Sequence, residues 1–200
     1  MAGLSSLAEA FRDAEAAIRK VEVFVNKVPV PALNEMRYAG YHAIRYLLAE
    51  EHQRAEEISK TISHCRRAYF DAQSFLLLTL YTKVKNIREG LGEFLHFFPE
   101  MVGPDYSAKK AAVQEARDFI ENLRITKKDK SRWEKRDEEY TACAPHIEAC
   151  HAYILMFESV REELCCKVDG AKGARSRNIV MALVGALIGV VGTVVAAALF

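Results

Sequence analysis

The sequence predicts an all-α protein, an antiparallel bundle of about five helices followed by one C-terminal transmembrane helix. Three observations carry this. Apolar residues recur at helical spacing along the first 168 positions, no stretch sustains the alternation of a strand, and every residue from Asn178 to Phe200 is uncharged. With 200 residues, 50% hydrophobic and 28% charged, and with 10 glycines and 5 prolines, the composition excludes collagen-like, low-complexity and wholly disordered chains. The balance of 28 basic against 27 acidic residues leaves a net charge of +1, so no bulk field draws in nucleic acid or an acidic partner.

The first helix begins at a capping box formed by Ser6 and Glu9. It presents Leu7, Phe11, Ala14, Ile18, Val21 and Val25 on one face and stops at Pro29 and Pro31. A second, from Pro31 to about Glu50, is marked by Leu33, Met36, Gly40, Ala43 and Leu47. The third is long, with a heptad-like, coiled-coil stripe from Ile58 through Cys65, Ala72, Leu80 and Ile87 to Leu91, ahead of Pro99 and the Gly103-Pro104 turn. Its centre, FLLLTL, is apolar all round and belongs in the middle of the bundle. A fourth helix runs from Tyr106 to about Leu123. The mixed-charge run KKDKSRWEKRDEE around Trp133 reads as a solvated face or a connector, and its basic and aromatic residues also permit contact with RNA. The last helix of the bundle starts near Pro145 and carries Ile147, Ile154, Phe157 and Leu164.

The chain thus divides into a helical bundle over 1–168, a basic juxtamembrane hinge over 169–178 and a transmembrane helix over 179–200. A helix of these last 22 residues reaches roughly 33 Å, the thickness of a hydrocarbon core. Lys167, Lys172, Arg175 and Arg177 precede it and no charged side chain follows, so the positive-inside rule places the bundle in the cytoplasm of a single-pass, tail-anchored protein. Gly185 and Gly189 form a GxxxG within a small-residue stripe, a surface through which two such helices approach closely, and a homo-oligomer in the bilayer is expected there.

Five cysteines without a framework spacing fit a reducing compartment. Cys143, His146, Cys150 and His151 are close enough for zinc on one helix, but no CxxC pair lies elsewhere to complete a site. They read as buried cysteines with a helix-start histidine after Pro145, so neither a metal nor another cofactor is expected.

No Gly-rich phosphate loop, HExxH, EF-hand or GxSxG pattern occurs. What remains is RYAGYH, in which Arg37 precedes His42 by five positions, and a second pair, Arg45 and His52, seven apart. With these residues, and with HCRRAYFDAQSF at 64–75 on the long helix, the stretch 31–80 resembles the HEPN superfamily. Its ribonuclease members carry an R-x4–6-H motif on small helical bundles and pair to form a composite site. The resemblance implies His42 as general acid or base and Arg37 as phosphate clamp, without metal. That division suits the chemistry, since imidazole moves protons near neutrality and guanidinium stabilises charge on phosphorus.

Two classes of function follow. One is a tail-anchored, HEPN-like effector acting on RNA or, by self-assembly, on membrane integrity. The other is a non-catalytic membrane-anchored scaffold that recruits a protein partner.

Overall fold

The computed structural model describes residues 2–126 and 136–172. Within them the protein is all-helical. Six α-helices occur, α1 (Ala2–Val25), α2 (Val30–Leu48), α3 (Glu51–Leu91), α4 (Phe97–Val102), α5 (Asp105–Thr126) and α6 (Arg136–Lys172), with a 3-10 turn at Gly92–His96 and no strand among the described residues.

Helix ends differ from the sequence expectation where local chemistry overrides pattern. α1 begins at Ala2, ahead of Ser6, and ends before either proline. Asn26 takes a left-handed conformation, φ 50°, and its N–H bonds the Glu22 carbonyl at 2.8 Å. Pro29 and Pro31 belong to the start of α2, as N-cap and first-turn residue, where a missing N–H costs nothing. α2 closes at Ala49, whose extended backbone, ψ 150°, breaks the chain direction before α3. The 41 residues of α3 span about 60 Å. It stops at Gly92, and α4 stops at Gly103; both glycines have positive φ, 49° and 72°, a conformation that side chains disfavour. Pro99 lies inside α4 and accepts the Gly103 N–H at 3.1 Å, so the boundary is Gly103 itself.

α6 runs unbroken through Pro145 and does not start there. It also continues to Lys172, so the first four residues of the expected 169–178 hinge are helical. The rest of that hinge, the expected span 179–200 with Gly185 and Gly189, and Trp133 all lie outside the described residues. Among the described residues no helix is long and apolar enough to cross a membrane.

The stretch expected as one bundle divides into two compact units, the boundaries falling in α3 after Leu76 and in α6 after Cys143. The first unit has a small-residue interior. Ala14, Ala17 and Val21 of α1 are buried with Ala32 and Ala39 of α2, and Cys65, Ala68, Phe70 and Ala72 line the inner side of α3. The second is aromatic. Phe98 packs edge-on against Tyr106, Tyr153 and Phe157 at centroid separations of 5.5, 5.7 and 5.8 Å, a favoured ring geometry. The FLLLTL segment is less uniformly interior than its composition implies: Leu76, Leu77 and Leu80 are buried, but Leu78 is 39% exposed.

Candidate functional site

The chemistry-bearing side chains of the first unit converge between α2 and α3. On α2, Glu35 and His42 are seven residues apart, two helical turns, and therefore share a face. On α3, Glu57 and His64 repeat that spacing. Because α3 runs back along α2, the early residue of each helix meets the late residue of the other. Glu35 Oε2 lies 2.7 Å from His64 Nδ1, and Glu57 Oε2 lies 2.7 Å from His42 Nδ1. Between these two pairs the imidazoles stack, with centroids 5.2 Å apart and planes inclined by 16°.

Further cations reinforce each carboxylate. Arg67 donates from Nε to the same Glu35 oxygen at 2.9 Å, while its Nη2 lies 2.7 Å from His64 Nδ1. That ring nitrogen can serve one of its two neighbours at a time, since a nitrogen that donates to Glu35 has no lone pair for Arg67. Glu57, whose side chain is 5% exposed, has Arg45 Nη2 at 3.7 Å and Lys60 Nζ at 3.6 Å from its other oxygen. Burial pushes the Glu35 carboxyl up, but hydrogen bonds from His64 and Arg67 and the nearby guanidinium charge outweigh it, and its pKa is lowered. The His42 hydrogen bond, opposed by burial and helped by Arg45 and Lys60, holds Glu57 below its ordinary value as well.

The expected pair Arg37 and His42 points two ways. His42 turns inward to Glu57 with its side chain 15% exposed, whereas Arg37 is exposed and rests over its neighbour Tyr38, 5.4 Å from the ring centroid. A separation of about 140° around an ideal helix accounts for the divergence. The cation nearest the His42–Glu57 pair on α2 is Arg45. Arg45 and His52 share a face only on a continuous helix, and the break at Ala49 removes that condition. His52 is on the surface, its Nδ1 3.4 Å from Glu50.

Glu35 and Glu57 belong to no motif of the sequence, and His64 and Arg67 enter it only as part of HCRRAYFDAQSF. The signal that finds them is the repeated Glu-x6-His on two consecutive helices of opposite direction, which requires knowing that α2 and α3 are neighbours. Among the cysteine and histidine residues considered for zinc, Cys143 and Cys150 are buried and His146 stacks on Phe119, with centroids 4.5 Å apart. Among the described residues no group of three or more His, Cys, Asp or Glu side chains converges to hold a metal ion.

The other side of α2 carries its large apolar side chains, with Arg37 among them. Its buried residues are Ala32 and Ala39, and its large side chains point away from the unit: Val30, Leu33, Tyr41, Ile44, Leu47 and Leu48 are between 42% and 82% exposed. Leu33 and Leu47, expected to face the core, belong to this outward surface. The polar residues are inside because α3 supplies a partner for each.

No family model, no curated protein and no solved structure matches the chain.

Proposed function

We propose that this chain is a tail-anchored membrane protein whose helical region works by non-catalytic docking, with the outward face of α2 as its contact surface. The observation that supports this reading most is the polarity of α2. Its histidine and glutamate are engaged in holding it to α3, and its valine, leucine, isoleucine and tyrosine side chains are left outside, a concentration of exposed apolar area characteristic of interaction surfaces. The anchor is the uncharged segment 179–200, with the basic residues before it keeping the helical region in the cytoplasm. Gly185 and Gly189 supply the surface for self-association in the bilayer.

A second reading, the HEPN-like ribonuclease, draws support from the two histidines. Each has Nδ1 beside a carboxylate, which leaves its Nε2 to exchange a proton with a substrate, and Arg37, Arg45 and Arg67 lie on the same two helices.

The two are separated with full-length protein in its membrane. Wild type and the Arg37→Ala/His42→Ala variant are incubated with total RNA without added metal, and the α2 face is footprinted by hydroxyl-radical oxidation. Docking predicts intact RNA in both samples and protection of Tyr41, Leu47 and Leu48 in the membrane relative to detergent. Cleavage by wild type alone establishes the nuclease, and solvent-like oxidation of the α2 face removes the docking reading.

A further inference from the structure

The geometry points to an anionic bilayer surface as the occupant of the outward face of α2, so that the protein meets the membrane twice, once through its C-terminal anchor and once through this helix lying on the headgroups. The inference rests on the docking reading above and names the partner of that same surface.

Charge selects the occupant. Every exposed ionic residue within α2 is an arginine, Arg37 or Arg45, because its single acidic residue, Glu35, is turned to His64 and Arg67. Acidic residues resume after the helix, at Glu50 and Glu51. A face of aliphatic residues with tyrosines and two arginines, Arg37 within it and Arg45 at its side, meets a bilayer with its apolar side chains at the headgroup and acyl boundary and its arginines reaching up to lipid phosphates. Arg37 lies over Tyr38 and Arg45 over Tyr41, at 5.4 and 5.8 Å from the ring centroids; Arg45 borders the apolar surface, while Arg37, four residues from both Leu33 and Tyr41, rises from its middle on a long stem whose guanidinium stays beside a ring. At about 28 Å, the 19 residues of α2 provide five turns of contact.

Location selects it too. A chain anchored by residues 179–200 presents α2 to its own bilayer at an effective concentration of about millimolar, so a face too weak to bind vesicles from solution still docks. The basic residues before the anchor, Lys172, Arg175 and Arg177, favour the same anionic leaflet.

The test uses full-length protein reconstituted in vesicles. Trp133, the single tryptophan, is replaced in Trp133→Phe, and Tyr41→Trp places a reporter on the α2 face; Arg19→Trp, at an exposed position of α1, is the control. Docking gives a blue-shifted Tyr41→Trp emission that brominated phosphatidylcholine quenches, more strongly in vesicles containing phosphatidylserine, while Arg19→Trp is unaffected. Removing each arginine, by Arg37→Gln or Arg45→Gln, lowers the docked-to-free ratio about fivefold in those vesicles and leaves circular dichroism unchanged. A water-like, unquenched Tyr41→Trp overturns the inference. If the footprint is then still protected and the face cross-links to another chain, the docking reading stands with a protein partner; if it is solvent-like, both fall.

Discussion

The imidazoles of His42 and His64 lie face to face, 5.2 Å between centroids and 16° between planes, each with a glutamate from the opposite helix on its Nδ1. One such pair tethers two helices; two pairs in reverse order also fix their register, because sliding α3 by a turn separates both at once. Buried ionic contacts are better suited to specifying an arrangement than to adding net stability, and α2 needs specification, having little beyond Ala32 and Ala39 to bury against its neighbours.

Acid should loosen α2 first. The Glu35 and Glu57 pKa values are held below the ordinary 4.5 in the fold, so between the folded and unfolded values the unfolded chain binds more protons. The stability they contribute is complete above about pH 4.5 and is lost as pH falls through the lowered values. Urea midpoints should decline as pH falls below about 5, with a shallower decline in Glu35→Gln/Glu57→Gln.

Breaking one pair should cost more than replacing it. His64→Leu leaves Glu35 partly buried with Arg67 alone, whereas His64→Leu/Glu35→Leu removes both polar groups. Urea denaturation of the two single variants and the double should give a coupling of about 1 kcal/mol, reduced from a fully buried pair because Glu35 retains a quarter of its exposure.

An exposed ion pair is the comparison. Arg19 and Glu15 meet at 2.9 Å with side chains 73% and 58% exposed, and Arg19→Ala should change stability by about 0.5 kcal/mol or less in the same assay.

Thiol labelling should divide the cysteines. Burial pushes the Cys65 thiol up to about 11 and Cys150 up to about 12, so neither presents thiolate at neutral pH, and Cys143 is fully buried and closed to a reagent. Reaction with a disulfide reagent should be fast at exposed Cys166, slower at half-buried Cys165, and should reach all five in denaturant. Fast labelling of Cys150 in the native protein would contradict this packing.

In the second unit, Phe98→Ala should destabilise by about 3–5 kcal/mol, since the ring is fully buried and lost contacts with Tyr106, Tyr153 and Phe157 leave a cavity. The loss should appear in the urea transition reported by near-ultraviolet circular dichroism of the tyrosines.

The sequence by itself determined the helical class, the long α3 and the turn at Gly103-Pro104, because those follow from local periodicity and backbone preference. It also determined the charge-free C-terminal segment that proposes an anchor. Boundaries set by a single residue were less legible: Asn26 ended α1 by taking a left-handed backbone, and Pro145 was absorbed into α6. Tertiary structure alone decided which side of α2 is interior. By hydropathy Leu33 and Leu47 belong inside; they face outward, and Glu35 and His42 turn inward, because α3 places His64 and Glu57 opposite those two, and partnered polar groups can be buried where unpartnered ones cannot. Such a partner lies 15 to 29 residues away in the chain, beyond the reach of any helical period.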